Sequence, residues 1–475
     1  MSFFYPVFGM IKMINMGIKK HNDFQYYRKH LLTDYPGTRG MVTNFYDGPC
    51  LILADTTLKK DYFVNKQQFY TKHPLVCSFL TNKATDKKPS LILAEGEEWK
   101  RIRRILSKTF HHDFIMSNLT LMNSIADRVF DKIKNLDNVN VMDEFQTITG
   151  NVILSSMLGD DFLEKKYQGE PAPVVISKIT AQITQRRFNF ITMMLGKKIS
   201  KMLIPSFRKQ LEYQENFFNN FLLKYIQEKY EEFKVKIKEN PAFPEKYLID
   251  SMFKLILKEE EQFYLTEVCS NINVLFIAGS DTTGHLLAHL TYVLWKNPKV
   301  YKKLMEELEK NSTAVEKMDY EIIKNLEYLN AVIKEGLRQV NPANDLFLRY
   351  AIKDHKLGDL FIKKGTSLFL GLSTGFNDPS IFRDPFTFQP ERWIKGDDLY
   401  DKAEEKDPYC YLPFSAGARN CIGQHMAIVE AKMILVKFLT RFNFEMKIKE
   451  PITWVINLVA EPKDPLIAKL TTRKK

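Results

Sequence analysis

Residues 414–423 of the chain read Phe414-Ser415-Ala416-Gly417-Ala418-Arg419-Asn420-Cys421-Ile422-Gly423. A single cysteine, Cys421, stands two residues after Arg419 and just before a segment with helical spacing, residues 424–441. A buried thiolate is costly unless a cation or a metal ion neutralises its charge. Arg419, the N-terminus of the following helix and the tight turns that glycine allows all favour a charged sulfur here. The stretch therefore predicts a loop built around a thiolate, with a structural cysteine as the weaker interpretation.

The whole pattern, F-x-x-G-x-R-x-C-x-G, resembles the haem-thiolate loop of the cytochrome P-450 family, in its eukaryotic microsomal type. The resemblance implies that Cys421 is the metal ligand and binds the iron of haem b as a thiolate. It also implies that Phe414 packs beside the sulfur and that Arg419 pairs with a haem propionate. Residues 414–423 are accordingly expected to form the haem-thiolate loop.

The composition is that of a large globular protein. The chain has 475 residues, 45% of them hydrophobic, without linker, repeat or low-complexity block, so we expect one domain over residues 1–475. Its five cysteines are scattered and lack C-x-x-C spacing, which disfavours disulfides or zinc and favours a reducing compartment. The net charge of +12 suits nucleic acid, an anionic membrane or an acidic protein. Because the basic residues alternate with acidic ones along helices, we predict no nucleic-acid partner.

Hydrophobic periodicity predicts a mainly α fold with a minor β portion. A long apolar helix is expected at residues 266–296 and another helix at residues 206–238. Strand-like segments are Pro49 to Ala54, Leu346 to Ile352, Phe361 to Ile362, Ser367 to Leu370 and Thr453 to Val459. Residues 376–412 lack periodicity and read as a long irregular segment. The resemblance implies the same layout, a cytochrome P-450-like fold with the haem between the long central helix and the cysteine-bearing loop.

The middle of the long helix contains Ala278-Gly279-Ser280-Asp281-Thr282-Thr283-Gly284. Glycine, threonine and aspartate together lower helix propensity, so we expect a distorted helix here. The alternatives are a kink that packs against another helix and a helix end with a glycine cap. The motif resembles the family's A/G-G-x-D/E-T-T/S. This implies that Thr282 lies near dioxygen with Asp281 as its proton-relay partner, and that Ala278 and Gly279 face the haem.

Four groups are expected to hold the haem propionates. Trp99 and Arg103 are spaced i, i+4 on one helix face, which by default reads as a packing or cation–π pair. The family pattern W-x-x-x-R makes both of them propionate donors, and Arg349 and Arg419 occupy two further positions where the family has propionate-binding arginines. Arginine suits this role because its planar guanidinium binds carboxylates bidentately and stays charged.

Glu335 and Arg338 are spaced i, i+3, which alone indicates only a surface ion pair. They match the family's E-x-x-R, and Pro390-Glu391-Arg392-Trp393 resembles its P-E-R-F, with Trp393 in place of phenylalanine. The resemblance implies that Glu335, Arg338 and Arg392 form a buried network that braces the thiolate loop. Their role is then structural rather than catalytic.

These motifs occur in family order and imply a haem-dependent monooxygenase that inserts one oxygen atom from O2 into an apolar small molecule. A haem-thiolate isomerase or dehydratase is the first alternative and a non-enzymatic haem sensor the second, but neither needs the Asp-Thr relay. The chain has no nicotinamide or flavin fingerprint, so electrons must come from another protein. That donor is expected to be an NADPH-dependent flavoprotein reductase, or else a ferredoxin.

Two surfaces follow from the family layout. The substrate pocket is expected along Val76 to Ser90, Phe276, Ala278, Ala343 to Phe347 and Leu458-Val459. A basic docking face for the electron donor is expected from Lys100, Arg101, Arg104, Lys108, Lys432, Lys437 and Arg441, with solvated lysines as an equal alternative.

No uncharged apolar run reaches the ~18 residues that a membrane-spanning helix needs. Pro6 to Gly9 resembles the segment that follows the N-terminal anchor in microsomal members, so either the true start lies upstream or attachment is peripheral. Residues 1–20 and Arg187 to Pro205 combine apolar and basic side chains and are expected to contact anionic lipid. The alternative is that Arg187 to Pro205 only caps the pocket. We expect the protein to be located at the cytosolic face of the endoplasmic reticulum. The alternative is that it is a cytosolic enzyme.

Overall fold

The computed structural model describes residues 30–45, 48–73, 89–188, 199–258, 263–343, 348–450, 452, 454–456 and 460–473. Several predicted regions lie wholly or partly outside these residues. They are residues 1–20, residues 76–88 of the predicted pocket, 189–198 of the apolar–basic segment, 344–347, and Leu458-Val459.

Helices form most of the described chain, as predicted. Their bounds are α1 (Leu31–Asp34), α2 (Thr56–Asp61), α3 (Gly96–Thr109), α4 (His112–Ser117), α5 (Leu119–Asp131), α6 (Val141–Leu158), α7 (Ala172–Phe188), α8 (Pro205–Asn216), α9 (Leu223–Glu239), α10 (Leu248–Lys258), α11 (Leu265–Lys296), α12 (Pro298–Lys310), α13 (Ser312–Glu316), α14 (Tyr320–Ile323), α15 (Glu327–Gln339), α16 (Ala403–Lys406) and α17 (Gln424–Arg441). The predicted helix at residues 206–238 corresponds to α8 and α9, joined by a π-helical segment, Phe217–Leu222.

The strands are short. Their bounds are β1 (Gly40–Phe45), β2 (Gly48–Leu53), β3 (Tyr70–Lys72), β4 (Val139–Asn140), β5 (Lys166–Tyr167), β6 (Glu170–Pro171), β7 (Arg349–Ala351), β8 (His355–Leu357), β9 (Leu360–Ile362), β10 (Ser367–Phe369), β11 (Phe442–Met446), β12 (Trp454–Ile456), β13 (Ala460–Pro462) and β14 (Ile467–Thr472). The largest sheet has the order β1-β2-β10-β7-β3, and β11-β14-β4 form a second. The strand predicted at Pro49 to Ala54 is β2, whereas β1 and β14 were not predicted.

The chain divides into two compact units. Unit 1 comprises the described residues within Met1–His73, Phe130–Phe145 and Thr282–Lys475, and unit 2 those within Pro74–Val129 and Gln146–Asp281. Unit 1 contains the large sheet, one face of which buries Leu51, Leu53 and Leu368 with their neighbours. The prediction of one domain over residues 1–475 stays a prediction.

Helix α11 begins at Leu265 and ends at Lys296, one residue longer than the predicted 266–296. It ends before Asn297-Pro298, because proline disfavours the helical conformation of the preceding residue. The predicted distortion around Gly279 is wrong, since α11 is α-helical throughout. The small residues there serve close packing instead. A Cβ atom at Gly279 would lie 3.3 Å from Ile153 Cγ1 of α6.

Candidate active site

The cysteine loop closes on itself before α17 begins. The backbone N–H of Cys421 donates to the carbonyl of Phe414 at 2.9 Å, and Gly417–Arg419 form a single 3₁₀ turn between them. Ser415 and Gly417 have positive φ angles of 62° and 69°, which only glycine adopts without strain. The loop therefore has a fixed, tightly turned backbone that ends at the N-terminus of an 18-residue helix.

Position 417 favours glycine for two reasons, its positive φ angle and the close approach of neighbouring side chains. A Cβ atom there would lie 3.2 Å from Gln67 Oε1 and 3.3 Å from Phe63 Cδ1. Both residues belong to the helical turns that precede β3, and Phe63 in turn stacks on Tyr409 at 6.4 Å between ring centroids. The loop is thus packed against a folded part of unit 1 on this side.

Cys421 is the exposed cysteine among the described ones, whereas Cys50, Cys269 and Cys410 are buried. Burial raises the pKa of both Cys269 and Cys410 to about 12, so both remain protonated thiols. The Cys410 thiol also donates to the carbonyl of Ala403 at 3.5 Å. An accessible sulfur at a helix N-terminus is the arrangement that favours a thiolate ligand.

Two of the predicted propionate-binding residues share unit 1 with Cys421. Arg349 lies on β7, where it is buried between Leu368 of β10 and Lys72 of β3. Arg419 is half-buried at the end of the 3₁₀ turn. Trp99 and Arg103 belong to α3 in unit 2, and both are half-buried with the predicted i, i+4 spacing.

Helix α11 presents one accessible stripe within a buried helix. Ala278 is exposed, and Gly279, Asp281 and Thr282 are half-buried, although most residues before and after them are buried. Asp281 is the last residue of unit 2 in the chain and Thr282 resumes unit 1. The predicted pocket residue Phe276 does not belong to this stripe, because it is 1% exposed and packs where Gly150 of α6 leaves room.

Two side chains of α6 that the sequence did not single out contact the same motif. The hydroxyl of Thr149 donates to the backbone carbonyl of Ser280 at 2.8 Å. The Gln146 amide lies 3.5 Å from the Asp281 carboxylate, a long contact for a hydrogen bond. Periodicity places Thr149 and Gln146 on a helix but gives no sign that this helix packs against residues more than a hundred positions away.

The predicted E-x-x-R network is present and fully buried. Both oxygens of Glu335 accept from Arg338, at 2.8 and 2.9 Å, and Oε1 also accepts from Arg392 Nε at 3.1 Å and from the backbone N–H of Gln389 at 3.0 Å. Burial raises the pKa of Glu335, but the two guanidinium groups outweigh burial and the net shift is downward. The carboxylate is therefore ionised and braced from several directions.

A fourth charge, Asp401, completes this network. Its side chain is 2% exposed, and it accepts from Arg392 Nη1 and, at 3.1 Å, from Arg383 Nε. The buried groups Glu335, Asp401, Arg338 and Arg392 then sum to zero net charge, which is how buried ions are tolerated. Asp401 lies in the irregular segment, where no periodicity points to it.

Part of the predicted docking face is engaged in internal contacts. Arg101 forms an ion pair with Glu267, whose side chain is fully buried at the start of α11. Lys432 is buried and donates to the carbonyl of Lys324 at 3.3 Å, while Arg441 pairs with Asp131. We therefore no longer expect Arg101 and Lys432 to bind the electron donor, because both side chains are held by internal contacts.

Comparison with known proteins identifies the class. A family model described as Cytochrome P450 matches residues 2–468, and the chain belongs to this family. It is 26% identical to Cytochrome P450 3A17 of Cavia porcellus (98% of this chain, 90% of the relative) and 24% identical to the Lithocholate 6-beta-hydroxylase of Mesocricetus auratus (99% and 90%). A solved structure titled Retinoic acid bound cyanobacterial CYP120A1 has the same fold, with a TM-score of 0.76, 20% identity and 99% of both chains covered.

The family membership confirms the predicted fold class, the likeness to eukaryotic members and the monooxygenase activity. The protein is thus a haem b-dependent monooxygenase that uses O2, an organic substrate and a redox partner protein. The residues of unit 1 fit this cofactor, because the exposed Cys421 sulfur at a helix N-terminus is a suitable iron ligand. Arg349 and Arg419 supply guanidinium groups for carboxylates.

Proposed function

We propose that the chain hydroxylates an apolar small molecule and that the predicted site residues perform this reaction. Cys421 is the thiolate ligand of the haem iron, with Phe414 packed beside the sulfur. The exposure of Cys421 on a loop with fixed geometry is the observation that supports this role most directly. The haem that Cys421 would hold would supply the oxygen-activating chemistry, and a thiolate ligand would favour O–O bond cleavage.

The remaining residues bind the cofactor or move protons. Arg349, Arg419, Trp99 and Arg103 hold the propionates by charge-assisted hydrogen bonds. Asp281 and Thr282 deliver protons toward dioxygen, and the accessible stripe on α11 that contains them supports this assignment. Ala278 belongs to the same stripe, and its small side chain leaves room for a flat cofactor beside the helix. Gly279 adjoins the stripe, is half-buried and packs against Ile153 of α6.

The names of two similar proteins support a proposal for the substrate class. One relative is named as a hydroxylase of lithocholate, and a structural neighbour is titled as binding retinoic acid. Both compounds have a large apolar body. We therefore propose apolar organic molecules of comparable size as substrates of this chain.

The test begins with the haem-loaded protein and a panel of apolar compounds, whose binding is read from changes in the haem absorption spectrum. Compounds that bind are then incubated with NADPH, a flavoprotein reductase and isotopically labelled O2. We expect NADPH consumption that depends on the compound, and a product that contains one labelled oxygen atom. Consumption without labelled product, for every compound that binds, would contradict the proposal. A parallel reaction with a ferredoxin and its reductase decides between the two kinds of donor.

We further propose that the protein works at the cytosolic face of the endoplasmic reticulum through peripheral contact. None of the helices in the described part of the chain is long and apolar enough to span a membrane. Just before α8, Ile199, Met202 and Leu203 are exposed by 44%, 72% and 58%, so that three large exposed apolar side chains lie within five residues of one another. Lys201 lies among them, and such an apolar and basic surface suits anionic lipid.

A further inference from the structure

Trp393 is a neutral side chain that contacts the buried charge network of unit 1. Its indole N–H donates to Glu335 Oε2 at 2.9 Å. Of the two carboxylate oxygens, Oε1 accepts from Arg338, Arg392 and the backbone of Gln389, whereas the donors to Oε2 in the described structure are Arg338 and Trp393. Phenylalanine at this position would leave Oε2 with one donor, because its ring has no N–H.

The other side of the indole contacts the segment that leads into the cysteine loop. The rings of Trp393 and Tyr411 lie 4.7 Å apart between centroids. The Tyr411 hydroxyl donates at 2.9 Å to the carbonyl of Lys334, the neighbour of Glu335 on α15, and the Lys334 ammonium lies 5.3 Å from the centre of the indole. Trp393 therefore fills the space between α15 and Tyr411.

Tyr411 is three residues before Phe414, where the loop begins. A second contact ties the same segment to the chain beyond α15, since the Asn341 amide donates to the carbonyl of Pro413 at 3.3 Å. The path from the buried carboxylate to the loop thus runs from Glu335 through Trp393 to Tyr411, and from there along the backbone.

We propose that Trp393 is a positioning residue that holds the segment leading into the cysteine loop, through Glu335 and Tyr411. It touches neither substrate nor cofactor in this role, which rests on the proposed ligation of iron by Cys421. If the segment before Phe414 loosens, the cysteine loop loses the fixed geometry in which the Cys421 N–H donates to the Phe414 carbonyl. Trp393 opposes this change because its hydrogen bond fixes the indole on Glu335 and its ring contact holds Tyr411, at the start of the segment that leads into the loop.

The test compares Trp393→Phe, Trp393→Leu and the matched control Trp295→Phe. Trp295 is also half-buried, and it lies on α11 beside the ring of Tyr292. For each haem-loaded variant the reduced carbon monoxide spectrum is followed in increasing urea, and the rate at which the thiolate signature converts to the thiol signature is measured. The midpoint of thermal unfolding is recorded in parallel.

We expect Trp393→Phe to convert about tenfold faster than wild type, which is the factor for losing one hydrogen bond to a buried charged group. Trp393→Leu should convert faster still, because the ring contact with Tyr411 is also lost. Trp295→Phe should convert at the wild-type rate. A wild-type rate for Trp393→Phe, or an equal increase in Trp295→Phe, would overturn the positioning role while leaving the ligation by Cys421 intact. A wild-type protein with no thiolate signature at all would overturn both.

Discussion

At the scale of single residues, Cys421 and Cys410 differ in one property that decides their chemistry. Both lie in the same segment of unit 1, but Cys410 is fully buried and donates its S–H, whereas Cys421 is exposed at the start of a long helix. The negative charge of a thiolate can therefore be compensated at Cys421 but not at Cys410.

The variant Cys421→Ser is expected to fold in part and to lose the thiolate signature in the reduced carbon monoxide spectrum, because a serine hydroxyl is not ionised near neutral pH. Cys410→Ser is the matched control and should keep the signature, with a free energy of unfolding lower by about 0.5–3 kcal/mol for the altered buried group. A spectrum that survives in Cys421→Ser, or disappears in Cys410→Ser, would show that the ligand is misassigned.

Glu430 on α17 is a second residue whose environment sets its charge. Its side chain is buried, and among the described residues Oε1 has no hydrogen-bond partner. Burial raises the pKa of Glu430 well above its ordinary value of 4.5. The folded chain therefore keeps a proton that the unfolded chain releases above pH 4.5. The free energy of unfolding then falls as pH rises, by about 1.4 kcal/mol per pH unit, until the folded carboxyl also ionises.

We expect Glu430→Gln to remove this loss of stability at higher pH, because the glutamine amide has a similar size and never ionises. The variant should resemble wild type near pH 4 and be more stable at pH 7, as measured by the urea concentration of half-unfolding across a pH series. Glu445→Gln, an exposed change on β11, is the control and should follow the wild-type curve. Parallel pH dependence in Glu430→Gln and wild type would contradict the buried protonated carboxyl.

At the scale of elements, α11 combines two packing environments along one helix. Gly279 and Ser280 pack against α6, while Ala278, Asp281 and Thr282 are accessible. The low helix propensity of this motif is therefore explained by contacts on one face and by the proposed chemistry on the other. The intrinsic cost of the glycine, about 1 kcal/mol, is offset by the packing of a helix that is otherwise strongly apolar.

The variant Thr282→Ala should bind haem normally and still consume NADPH, but it should release more hydrogen peroxide per product. Without the hydroxyl, proton delivery toward dioxygen is slowed, and product formed per NADPH should fall by about tenfold or more. Thr291→Ala is a matched control on the same helix, since the buried Thr291 hydroxyl donates only within α11, to Leu287, at 2.9 Å. An unchanged ratio of peroxide to product in Thr282→Ala would leave that residue with a packing role alone.

The elements show what the sequence can and cannot predict. The hydrophobic periodicity and the position of Pro298 predicted the bounds of α11 to within one residue, because both are local properties of the sequence. The E-x-x-R network was predicted by family resemblance, yet its fourth charge, Asp401, was not. Its contact with Arg392 depends on how an irregular segment folds back, and no local pattern encodes this. For the same reason the sequence could not show that Glu267 engages Arg101, which lies 166 residues away.

At the scale of the whole molecule, charge and apolar exposure act together. The net charge of +12 attracts the protein to anionic surfaces over about one Debye length, roughly 8 Å at physiological salt. Charge alone gives weak and salt-sensitive binding, whereas exposed apolar side chains add contact that salt does not screen. Ile199, Met202 and Leu203 provide such side chains in the described part of the predicted membrane-contacting segment.

We therefore expect the 475-residue chain to sediment with anionic liposomes at low salt and to be partly released at high salt. The double variant Met202→Ser/Leu203→Ser should bind at least about tenfold more weakly, because burying each apolar side chain contributes about 1.5–3 kcal/mol. Val235→Ser is the matched control, since Val235 is 57% exposed on α9, outside the predicted segment. A wild-type chain that stays in solution at low salt would contradict the peripheral contact. Equal binding of the double variant and wild type would instead assign the attraction to charge or to residues 1–20.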